Sequence, residues 1–104
     1  MYIAMNRFKV AVGREAEFES IWKNRSSSLH EMPGYIEFLL LRGKTFAEDG
    51  YTLFSSHTSW KTEEDFVNWT RSENFRQAHK NAGASRDLYV GPPVFEGFNT
   101  IEGV

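Results

Sequence analysis

A chain of 104 residues is long enough for one domain with a modest core, and 15% of it is aromatic: nine Phe, four Tyr and three Trp. A net charge of −2 and a pI near 5.9 argue against a nucleic-acid partner, which would call for a basic face, and no apolar run approaches the ~20 residues of a membrane span. There is no Cys, hence no disulfide framework or thiolate chemistry, and the N-terminus lacks a signal-peptide layout, so a cytoplasmic protein is expected.

Tyr2 to Val10 reads as a strand, with Ile3 and Met5 on one face and Ala4, Phe8 and Val10 on the other. Asn6 shares the second face, where a buried amide needs a partner. After Gly13, apolar residues recur at Phe18, Ile21, Trp22 and Leu29 with Arg25 on the same stripe, opposite Glu15, Glu17, Glu19 and Lys23, so an amphipathic helix is predicted. Pro33-Gly34 turns the chain into a strand from Tyr35 to Arg42, where Leu39, Leu40 and Leu41 imply burial on both faces. A polar connection to Gly50 leads into a returning strand, Tyr51 to Trp60, whose "SSHTS" places Ser55, His57 and Ser59 on a solvated or barrel-lining face.

Thr62 and Asp65 resemble a capping box opening a second helical region to about Ala82, and a loop then leads to a strand from Val94 to Ile101. The second helical region does not read as one straight helix. At 100° per residue, Phe66, Val67 and Trp69 centre on one side, whereas Phe75, Ala78, His79 and Ala82 centre roughly 150° away. A break near Ser72, capping a second piece with Glu73 in its first turn, resolves the conflict and turns Trp69 and His79 toward one cavity. Ten residues of unbroken helix would separate them by ~15 Å, which suits a large flat ligand better than a contacting pair. A Trp on an amphipathic helix is usually core, and a lone His is usually exposed or hydrogen-bonded, so periodicity alone defines no site.

The order β-α-β-β-α-β predicts a ferredoxin-like α+β protomer comprising residues 1–104, an antiparallel sheet with helices on one face. The first two strands are apolar on both faces, which predicts that a second copy covers the open one in a homodimer. His30, His57 and His79 lack zinc-site spacing, and there is no nucleophile elbow, phosphate loop or dinucleotide fingerprint.

Asn6 in "NRFKV", Trp69 in "FVNWTRSENF" and His79 in "FRQAHKNAG" together resemble the Isd-type haem-degrading monooxygenases of the antibiotic-biosynthesis-monooxygenase superfamily. The resemblance extends over "MPGYIEFLLLRG" and "SSHTSWKTEEDF", and with the "LYVGPPVFEGF" tail it is greatest to the bacterial rhizobial-type haem oxygenases of this group. It implies a dimeric α+β barrel with one haem per protomer between helices and sheet, serving as both substrate and cofactor. It also implies His79 as the proximal iron ligand, Asn6 as the distal amide and Trp69 as the indole that distorts the ring. Trp22 and Arg25 match first-helix pocket positions, and Arg25, or Arg76 or Arg86, is suited to pair with a propionate. The activity so implied is oxidative ring opening with O2 and an electron donor, releasing iron and a bilin-type product. "QAH" replaces the commoner "AAH", and the tail departs from staphylococcal-like members. Two rivals are a cofactor-independent quinol or polyketide-type monooxygenase on the same fold, and a haem carrier that does no chemistry.

Overall fold

In the computed structural model, which describes residues 1–25, 28–73, 75–76 and 86–104, the chain folds as predicted into a ferredoxin-like α+β protomer. The elements run β1 (Tyr2–Ala11), α1 (Glu15–Lys23), β2 (Tyr35–Phe46), β3 (Tyr51–Trp60), α2 (Glu63–Thr70) and β4 (Val94–Asn99), with short 3-10 turns at Leu29–Glu31 and Arg86–Leu88. The sheet is antiparallel in the order β2-β3-β1-β4.

Register sorts the side chains into two faces, because directly paired residues point the same way. Tyr2, Ala4, Asn6, Phe8 and Val10 pair with Trp60, Thr58, Ser56, Phe54 and Thr52 on the face that the helices cover. Ile3, Met5 and Arg7 pair with Ser59, His57 and Ser55 on the other.

The helix-covered face carries two separate cores. Phe18 of α1 is fully buried, its ring centroid 4.6 Å from Phe54 and 5.5 Å from Phe8, and Val10 and Leu88 complete that cluster. At the other end of the sheet, Tyr2, Ala4, Leu29 and Trp60 are buried under α2, with Phe66 and Trp69 packed against them. Gly97 lets β4 pass the Tyr2 ring: a Cβ at that position would lie 1.8 Å from the phenol oxygen.

Several expectations need correction. The first helix stops at Lys23, so Leu29 reaches the core from a 3-10 turn rather than from the helical stripe, and Ile21 is 42% exposed. β2 continues to Phe46, leaving a four-residue turn, and β4 ends at Asn99. Leu88 lies in what reads as a loop, yet it is fully buried. Leu39 and Leu41 are not buried on both faces within the protomer: with Val94 and Phe98 they stay 37–51% exposed on the open face of the sheet. Ser55 and Ser59 do share His57's face, and both are buried, which goes against the solvated alternative and not against the barrel-lining one.

The Thr62 N-cap forms, with a side-chain contact to Asp65 in place of the reciprocal backbone bond of a full capping box. Thr62 Oγ1 accepts from the Asp65 N–H at 3.1 Å, and its hydroxyl donates to the Asp65 carboxylate at 3.0 Å. The break near Ser72 is also present. α2 ends at Thr70, the Ser72 hydroxyl donates to the Trp69 carbonyl at 2.6 Å, and Ser72 Oγ accepts from the Phe75 N–H at 3.1 Å, starting a new helical turn at Glu73.

Candidate functional site

Between the two cores the sheet presents a row with no large residue at its centre. Asn6 of β1 pairs with Ser56 of β3, which pairs in turn with Leu40 of β2; Phe95 of β4 flanks Asn6 on its other side. Asn6 is half-buried, and its amide makes no hydrogen bond among the described residues. The amide is only half-buried, so it stays open to solvent or to a ligand lying along this row.

Aromatic side chains of both helices close in on the row, Trp22 bridging the Phe8 and Phe38 positions on either side of it. From α1, the Trp22 ring stacks on Phe38 at 5.6 Å and 17° and meets Phe8 edge-on at 5.8 Å. From α2, Phe66 stacks on Phe95 at 5.4 Å and 7°. Trp69 lies 5.7 Å from Trp60 and 6.2 Å from Phe66, so its indole is held by the second core.

Trp69 also meets Phe75 edge-on at 4.8 Å. Along a straight helix, six residues would set these rings about 120° apart in azimuth and ~9 Å apart along the axis. The contact therefore exists because of the break at Ser72. His79 lies outside the described residues.

Arg25 follows the end of α1. Its Nη1 donates to the Trp22 carbonyl at 2.7 Å, and its guanidinium lies 4.9 Å from the Trp22 ring centre and 4.4 Å from that of Phe38. Partial burial lowers the Arg25 pKa from its ordinary value, with the nearby Tyr35 phenol opposing. A guanidinium is a cation throughout the range in which proteins fold, and a partly desolvated one is well placed to receive a carboxylate.

The structure thus brings Asn6, Trp22, Arg25 and Trp69 to one side of the sheet, around one row. Arg76 is elsewhere engaged, pairing with Glu73 at 2.7 Å. Sequence reasoning missed Ser56, Phe38 and Phe95. Strand alternation gave little signal for Ser56, because Thr52 and Thr58 on the same buried face of β3 are hydroxylic too.

Residues 1–81 match the antibiotic biosynthesis monooxygenase family. A "heme oxygenase (staphylobilin-producing)" from Staphylococcus epidermidis is 33% identical over 92 residues, which span 86% of this chain and 84% of the relative. Among solved structures, the heme degrader MhuD of Mycobacterium tuberculosis, with two hemes bound in its active site, superposes with a TM-score of 0.74 at 22% identity, over 100% of this chain and 99% of MhuD. A point mutant of SnoaB, a cofactor-independent oxygenase from Streptomyces nogalater, superposes with a TM-score of 0.67 at 19% identity, over 99% of this chain and 96% of SnoaB. The two structural likenesses share a fold and differ in cofactor use, so fold alone does not choose the substrate. Family membership rests on the sequence matches, and with them the chain belongs to the antibiotic biosynthesis monooxygenases, in their Isd-type haem-degrading branch, and is a monooxygenase.

Proposed function

We propose that this protein binds haem along the Asn6–Ser56–Leu40 row and degrades it oxidatively, using O2 and an external electron donor, to release iron and a bilin-type product. The half-buried Asn6 amide, lying between the two cores with aromatic side chains of both helices around it, carries the reading, and the sequence relationship to heme oxygenases supports it. When bound, haem supplies the redox-active iron and the ring that is opened.

The residues present fit such a group. Trp22, Phe38, Phe66 and Trp69 offer apolar faces to a flat macrocycle. Asn6 offers a neutral hydrogen-bond donor that carries no acidic proton. Trp69, backed by Trp60 and Phe66, is braced to press on the ring rather than swing away from it. Arg25 is assigned to a propionate and His79 to the iron.

Residues 1–104 are taken as a single catalytic domain. The exposed Leu39, Leu41, Val94 and Phe98 support a homodimer in which a second copy covers the open sheet face, closing an α+β barrel. Among the described residues no helix is long and apolar enough to cross a membrane. The reading places the enzyme in the cytoplasm, where reductants are plentiful.

Equimolar hemin added to the apoprotein is expected to give a Soret band that decays with ascorbate in air. His79→Ala is expected to abolish the band, whereas Asn6→Ala is expected to keep it and slow the decay on the order of 100-fold. A band that survives His79→Ala overturns the ligand assignment, and a band stable under donor and oxygen overturns degradation in favour of carriage.

A further inference from the structure

Trp60 is fully buried, and its Nε1–H has no hydrogen-bond partner. A buried indole normally finds an acceptor for its N–H, so burial alone favours a ring without that donor at this position. Its neighbours include an oxidisable ring on each of two sides. The Trp69 ring centre lies 5.7 Å away at 32°, and that of Tyr35 lies 5.9 Å away at 77°. Tyr2 also pairs with Trp60 in the sheet, yet its ring turns to Phe66. Trp69 and Tyr35 are both half-buried, so two rings with access to solvent are joined through one that is sealed from it. The series runs from the candidate site to the edge strand β2.

We infer that Tyr35, Trp60 and Trp69 form an electron relay that restores Trp69 when oxygen chemistry in the site oxidises it. The inference goes beyond the haem reading and rests on it only for the source of the oxidant. That oxidant is hydrogen peroxide, formed when O2 takes two electrons and two protons from the donor without opening the ring. A peroxide reduced there to two waters takes up two electrons and two protons. Each electron lost by Trp69 is replaced through Trp60 from Tyr35, whose phenol gives its proton to water. A donor of the ascorbate class then returns electron and proton together as a hydrogen atom. An oxidised indole is stabilised by losing its Nε1 proton. Trp60 has no acceptor for that proton, so it passes the electron on without holding the radical. Tyr35, partly open to water, does release its proton, and the radical comes to rest where a reductant reaches it.

The first test needs no haem. Trp22→Phe leaves Trp69 as the one indole that solvent reaches, because Trp60 is sealed. Azide radicals made by pulse radiolysis oxidise it and become azide anions. The indolyl absorption is expected to decay as a tyrosine phenoxyl absorption rises, at a rate independent of protein concentration. Tyr35→Phe is expected to abolish this phase, Trp60→Phe to slow it at unchanged circular dichroism, and Tyr2→Phe to leave it intact. No phenoxyl phase, a phase that scales with concentration, or one that persists in Tyr35→Phe overturns the relay while leaving the haem reading standing. In hemin-loaded protein given hydrogen peroxide without a donor, Tyr35→Phe is expected to accumulate more oxygen at Trp69 than the wild type, read by peptide mass spectrometry. Equal oxidation of the two overturns the restoring role. A wild type that gives no Soret band with hemin overturns the haem reading and that role with it.

Discussion

Ser72→Ala tests whether the chain breaks where the site needs it to. The Ser72 hydroxyl closes α2 by donating to the Trp69 carbonyl at 2.6 Å, and its oxygen opens the next turn by accepting from the Phe75 N–H at 3.1 Å. Alanine removes both bonds. Loss of an N-cap costs about 1 kcal/mol, within a range of roughly 0.5–2. For a domain of this size that corresponds to a fall in Tm of about 4–8 °C per kcal/mol, read at fixed protein concentration because a dimer's Tm depends on it. In a continuous helix the sign would reverse, since Ala exceeds Ser in helix propensity by up to roughly 0.5 kcal/mol. Thermal unfolding followed by circular dichroism separates the cases, and Ser72→Asp, which keeps a capping oxygen, is expected to recover most of the loss. Hemin affinity is expected to fall alongside, because the Trp69–Phe75 contact depends on the same turn. A Tm that rises, or an alanine variant indistinguishable from Ser72→Asp, would refute the two-piece reading.

Glu15 accepts from the Thr52 hydroxyl at 2.7 Å and from the Gly13 N–H at 2.8 Å. The Thr52 bond is the main cause holding its pKa below the ordinary carboxylate value, ahead of its own backbone N–H, with desolvation opposing. A depressed folded pKa contributes stability that is complete above the unfolded carboxylate range and is lost as pH falls through the folded value. Glu15→Gln is therefore expected to flatten the decline of Tm below about pH 5, and an unchanged acid limb would contradict this. Gly97→Val forces a side chain into space held by the buried Tyr2 ring and is expected to cost about 1–3 kcal/mol in urea unfolding; a change within about 0.5 kcal/mol would mean that Tyr2 can move aside.

The local rules in the sequence determined much of this protein. Alternation in β1, the Thr62 cap, the element order and the break at Ser72 were all legible, because each depends on residues within about one turn or one strand of each other. Clashing hydrophobic periodicities in the second helical region were enough to locate the break. Asn6 stood out for the same kind of reason, an amide on an apolar strand face.

What needed the tertiary structure was everything set by register and by the way helices lie across the sheet. Only the pairing of Asn6 with Ser56 and of Ser56 with Leu40 shows that the polar row separates two cores rather than interrupting one. Leu88 looked like a loop residue, because nothing near it in sequence marks the Phe8–Phe18–Phe54 cluster that buries it. Arg42 looked like the last residue of a strand, and a cavity it lines is shared with Glu19, Trp22 and Lys23 of α1, some twenty residues earlier in the chain. Contacts of that separation are fixed by the closure of the whole fold, which no local propensity encodes.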